Sequence, residues 1–137
     1  MIFETDEDLD RENKAIKKFC SLYDLNYKKL GRFDVDFMIF NSDGEHIGFV
    51  EVKGRPHDNV DDVNSLTLSL SKACKLQSKR LNPIIVWALN DGIIFSKLNK
   101  LIGTVVYGGR SQREGSTNDT ELLIIYKKQQ SMVTEKY

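Results

Sequence analysis

The chain has 137 residues, 40% hydrophobic and 29% charged, with 20 Lys and Arg balanced by 20 Asp and Glu. That length suits one domain, residues 1–137, with a buried core, and no apolar run is long enough for a membrane-spanning helix. The zero net charge hides an asymmetry: residues 1–62 carry nine basic against fifteen acidic side chains, and residues 63–137 carry eleven against five, as suits an acidic site beside a basic nucleic-acid surface.

The opening residues Met-Ile-Phe-Glu-Thr-Asp lack the basic start and apolar stretch of a secretory signal, so a cytoplasmic location is expected. The first predicted helix follows, with Thr5 or Asp6 as its cap, acids early and lysines late, as the helix dipole favours. Ala15, Ile16, Phe19, Cys20 and Tyr23 form its apolar stripe. Glu12 lies four residues before Ile16 on that stripe, and an acid on an inner face needs a reason. Asp24-Leu25-Asn26 ends the helix, and Tyr27 to Leu30 makes a short strand.

Phe33 to Phe40 and Ile47 to Gly54 read as two paired strands joined by the polar turn Asn41-Ser42-Asp43-Gly44. Strand side chains alternate between faces. Asp34 and Asp36 are thus expected on one face, with Val35, Phe37 and Ile39 on the other. Glu51 and Lys53 share a face, and Val50 and Val52 the opposite one. Carboxylates clustered this way suit a hard cation such as magnesium, which polarises a phosphoryl oxygen and activates water. A neighbouring lysine can orient that water or balance transition-state charge.

Residues 54–64 read as a loop containing Pro56 and His57. His46 reads as a solvated turn residue, and two histidines without ligand spacing make no metal site. Residues 65–82 are the second helix candidate. Leu66 to Leu70 also alternates like a strand, so the helix is placed from near Ser69. Lys72, Lys75 and Lys79 then share one face, with Leu70, Ala73, Cys74 and Leu81 toward the sheet and Gln77 among the apolar positions. Cys20 and Cys74 are too few and too far apart for a disulfide framework or zinc site, and are expected in the core.

Pro83 to Leu89 is a nearly continuous apolar run, as for a strand buried on both faces. Asn90-Asp91-Gly92 turns it into Ile93-Ile94-Phe95. Leu101 to Tyr107 and Glu121 to Tyr126 read as two more strands around a Gly-rich connection bearing Arg110 and Arg113. From Gln129 the chain is expected to fray.

The combination of Val35-Asp36 in one apolar strand with Glu51-Val52-Lys53 in the next resembles the PD-(D/E)xK nuclease superfamily, which includes Holliday-junction resolvases, restriction enzymes and many phage nucleases. Val35 stands where the family has proline. E-x-K alone is weak, since Glu12-Asn13-Lys14 repeats it on a helix, so the strand context carries the match. The resemblance implies an α/β fold: a restriction-endonuclease-like αβββαβ core over about residues 5–100, with a mixed central sheet flanked by helices. Extra C-terminal strands would follow over 101–137.

The resemblance also implies roles. Asp36 and Glu51 would hold Mg2+, with Mn2+ as substitute, joined by the Val52 carbonyl. Lys53 would be the catalytic lysine, and Glu12 a third acid on the first helix. Lys72 would meet the scissile phosphate. Glu7 is the alternative to Glu12, Gln77 to Lys72, and Asp34 could replace or assist Asp36. Lys72, Lys75, Arg110 and Arg113 are the expected DNA contacts, with Arg32 and Arg55 as a second path. The expected activity is Mg2+-dependent DNA cleavage by an endonuclease more than an exonuclease, in phage DNA processing, recombination or repair. The competing reading is an inactive nucleic-acid-binding protein or partner subunit on the same fold. The DNA structure recognised is open, and so is a homodimer, which paired cuts in a four-way junction would require.

Overall fold

The computed structural model describes residues 5–31, 34–109 and 120–137. Helix α1 spans Asp6–Tyr23. Thr5 caps it in a reciprocal box with Asp8, and three first-turn acids complement the dipole. Asp24 closes it in the left-handed conformation (φ 54°), a conformation Asp tolerates. Ala15, Ile16, Phe19 and Cys20 are buried as the stripe requires. Tyr23 is 53% exposed, its ring packed against Phe19 and Phe95.

Strands β1 (Asn26–Lys29), β2 (Phe37–Phe40) and β3 (His46–Arg55) form an antiparallel meander. Gly44, at φ 81°, makes the β2–β3 turn. β2 starts later than its sequence pattern suggests. The ladder to β3 stops at Phe37↔Val50, and the Asp36 carboxylate, not the β2 backbone, takes the Val52 N–H. Without the ladder, strict alternation fails. Val35 buries among residues under α2, while Phe37 and Ile39 bury under α1. Asp34 and Asp36 therefore do not act as a same-face pair.

The alternating Leu66 and Leu68 win the contested segment: Ser65–Ser69 is strand β4, and helix α2 is only Leu70–Gln77, capped by Ser69. Its core contacts are Ala73 and Leu76. Cys74 and Gln77 are exposed, and Leu81 lies beyond the helix at 37% exposure, correcting their expected burial. An eight-residue helix with buried residues three apart offers too narrow a stripe to bury them.

β5 (Pro83–Leu89) is buried at every position and pairs in parallel with β3. β6 (Gly92–Lys97) returns antiparallel. β7 (Thr104–Gly109) and β8 (Thr120–Lys127) pair with each other, and β8 pairs with β4. The tail does not fray: β9 (Val133–Lys136) pairs with β6. Gly92 permits this, because a Cβ there would strike the Glu135 carbonyl.

The result is a mixed α/β fold. A six-stranded sheet, β1-β2-β3-β5-β6-β9, has the β3–β5 pair as its parallel element. α1 covers one face over Phe37, Ile39, Val50 and Val86. α2 and the three-stranded sheet β4-β8-β7 cover the other over Ile85, Trp87 and Ile94. Trp87 ties the layers together, donating its indole N–H to the Thr67 carbonyl at 2.9 Å. The order is helix, three strands, helix, strand, with β4 added before α2. Among the described residues no helix is long and apolar enough to cross a membrane.

Candidate active site

Charge concentrates where β2 and β3 part. The Asp36 Oδ2 accepts the Val52 N–H at 2.7 Å. A strand residue sends its N–H and C=O to the same side, so the Val52 carbonyl leaves β3 on Asp36's side. Glu51, the preceding residue, is only 6% exposed. Its carboxyl pKa is raised to about 7, by burial first and then by the Asp36 charge. Lys72 and hydrogen bonding from the Asp36 backbone oppose that rise, and Glu12 adds to it. Asp36 and Glu12 thus both act on Glu51, which scattered surface acids would not.

Each acid also has a nearby cation. Lys72, on α2, places Nζ 3.8 Å from the Glu51 Oε2. Lys29, on β1, contacts the Glu12 carboxylate and stands 3.9 Å from the Asp36 Oδ1. Glu12 faces inward on α1, its side chain 12% exposed. Lys53 is half-buried on the same strand face as Glu51; both point toward the α2 layer, as their β5 partners Ile85 and Trp87 do.

The alternatives separate clearly. Asp34 pairs with Lys79, which with the Val35 N–H holds its carboxyl below the usual range. It is directed to the end of α2, away from Asp36. Glu7 is exposed in the first turn of α1, and Gln77 is exposed on α2. Lys75 is exposed and contributes its charge to Asp34. Arg55 is held by Asp58 at 2.9 Å. His46 is no solvated turn residue: it begins β3, bonds the Gly48 carbonyl and packs between Phe40 and Phe49. Arg32, Arg110 and Arg113 lie outside the described residues. The sequence reading passed over Lys29. Its signal was faint: a lysine in a short polar strand whose register, Lys29↔Phe37, sets it beside the Asp36 end of β2.

The donor set fits a hard cation. Among the described residues no three His, Cys, Asp or Glu side chains form a group able to hold a metal by themselves. Magnesium does not demand such a cage, because one or two carboxylates suffice alongside waters and phosphate oxygens. A buried carboxylate whose charge is opposed by burial and by a second carboxylate is a group that a cation would stabilise.

Fold and site together describe a mixed α/β protein with paired carboxylates and a lysine on adjoining strands. Over residues 1–130 the chain matches the family described as "Phage putative PDDEXK endonuclease", and it belongs to that family. No curated protein and no solved structure matches it.

Proposed function

We propose that this protein is a magnesium-dependent endonuclease that hydrolyses phosphodiester bonds in DNA, in phage DNA processing, recombination or repair in the host cytoplasm. The observation that carries the reading is the buried Glu51 beside Asp36, with Lys53 on Glu51's strand face. The family description supports a nuclease.

Asp36, Glu51 and the Val52 carbonyl are the residues that would hold Mg2+ or Mn2+. When bound, the metal supplies Lewis acidity toward the phosphoryl group and its attacking water. The chain does the rest. Asp36 is fixed by the Val52 N–H, so its carboxylate does not reorganise as the substrate arrives. Lys53 orients the water or offsets charge growing on the phosphoryl oxygens. Lys72 neutralises Glu51 and meets the scissile phosphate from α2, while Lys75 on the same helix adds to the phosphate-facing charge. Glu12 acts indirectly, from the α1 side of Asp36.

The test is cleavage of a panel of linear, single-stranded, flapped and four-way-junction DNAs with magnesium, manganese or EDTA. Metal-dependent cutting of at least one DNA is expected, and a preference for junctions would call for a homodimer. Tight DNA binding without cutting in either metal would replace this reading with an inactive binding module on the same fold.

A further inference from the structure

Lys29 occupies an unusual place. Its ammonium contacts the Glu12 carboxylate, lies 3.9 Å from the Asp36 Oδ1, and stands 5.0 Å from the centre of the Phe37 ring. It therefore joins an acid of α1 to an acid at the start of β2. Lys28, the next residue in β1, pairs with Met38 and points to the opposite face. The Glu12 and Asp36 side chains are 12% and 19% exposed, whereas Lys29 is 45% exposed. The acids are fixed in the site, and the lysine reaches it from solvent on a flexible stem.

We infer that Lys29 is a built-in counter-cation, held by Glu12, that competes with the metal for Asp36 and withdraws toward solvent when the metal binds. The inference rests on the metal-site reading above. A positive charge held between two carboxylates stabilises both of them in the metal-free site. A dication entering at Asp36 meets that charge at short range. It must either be repelled by the ammonium or displace it, and both weaken binding. Because the lysine is partly solvated, displacement is cheap and the competition modest. The pair thus keeps the acids preorganised without closing the site.

Manganese titrated by calorimetry into wild type, Lys29→Met, Lys28→Met and Glu51→Gln tests this. Met keeps the packing on Phe37 and loses the charge. Lys29→Met should bind manganese about fivefold tighter than wild type, with Lys28→Met, which removes the same charge from the other face, within about twofold. Melting adds a readout that a merely structural lysine would not move. Lys29→Met should melt below wild type in EDTA, and saturating manganese should close that gap. If Lys29→Met does not fold in EDTA, the comparison moves to Glu12→Gln with and without Lys29→Met, where the double variant should bind manganese tighter than the single one.

Equal affinity of Lys29→Met and Lys28→Met, or a melting deficit unchanged by manganese, overturns the inference. That result leaves the metal-site reading intact so long as Glu51→Gln still loses manganese binding. If wild type itself binds no manganese, both fall together.

Discussion

Asp36 reaches sideways to Val52: its Oδ2 accepts the Val52 N–H at 2.7 Å, just where the β2–β3 ladder gives out after Phe37↔Val50. One carboxylate thereby ends a strand pairing and stands beside the buried Glu51. A side chain doing a ladder's hydrogen bonding satisfies the backbone and at the same time holds its carboxylate at the site.

Asp36→Asn should preserve this bond through the amide oxygen and remove a charge that opposes ionisation of Glu51. Without metal the variant should be at least as stable as wild type, and magnesium should raise its melting temperature less. A large loss of metal-free stability with an unchanged magnesium shift would make Asp36 structural.

Glu51 ties stability to pH. Its folded pKa of about 7 lies above the ordinary glutamate value of 4.5, so between those values the folded chain binds the extra proton. Stability therefore falls as pH rises through that window. Glu51→Gln lacks this penalty. In EDTA the melting advantage of Glu51→Gln over wild type should be small near pH 4.5 and grow toward pH 7–8. A difference independent of pH would show that Glu51 is not held protonated by its surroundings.

How much of this was legible in the sequence depends on which interactions decide each element. The caps and stripe of α1, the β2–β3 turn and the all-buried β5 follow from local pattern, and the structure has them. So do Glu51 and Lys53 on one strand face and Glu12 on the inner side of α1. The misses come from tertiary effects. Val35 faces away from Phe37 because a side-chain bond interrupts the ladder, which alternation cannot foresee. Cys74 and Gln77 are exposed because α2 is cut short by β4, whose leucines are claimed by a strand, β8, more than fifty residues later. The mostly polar residues 133–136 read as part of a frayed end because an edge strand draws its order from its partner's backbone, not its own burial.

The C-terminal strand gives a direct test of that last point. Gly92→Ala would push a Cβ into the Glu135 carbonyl, and relief requires β9 to move away from β6. The cost should be about 1–3 kcal/mol in urea unfolding. A stability within about 0.5 kcal/mol of wild type would mean that β9 does not pair closely at Gly92.

Under the proposed function, Lys72 serves the substrate as well as Glu51. Lys72→Ala should weaken DNA binding and reduce the magnitude of the salt slope by about one released counterion. Arg110→Ala should act in the same direction. Unchanged affinity and slope for both at low ionic strength would make the basic second half ordinary solvated surface.

The central claim is that Asp36 and Glu51 hold the metal with which Lys53 cleaves DNA. The most direct measurement is the single-turnover cleavage rate of wild type, Glu51→Gln and Lys53→Ala on a cleaved DNA, with magnesium and with EDTA. The account predicts metal-dependent cutting by wild type and none by Glu51→Gln, which still binds DNA. Lys53→Ala should bind metal yet be slower by at least ~100-fold. Cutting that persists in EDTA, or that survives Glu51→Gln, would contradict it.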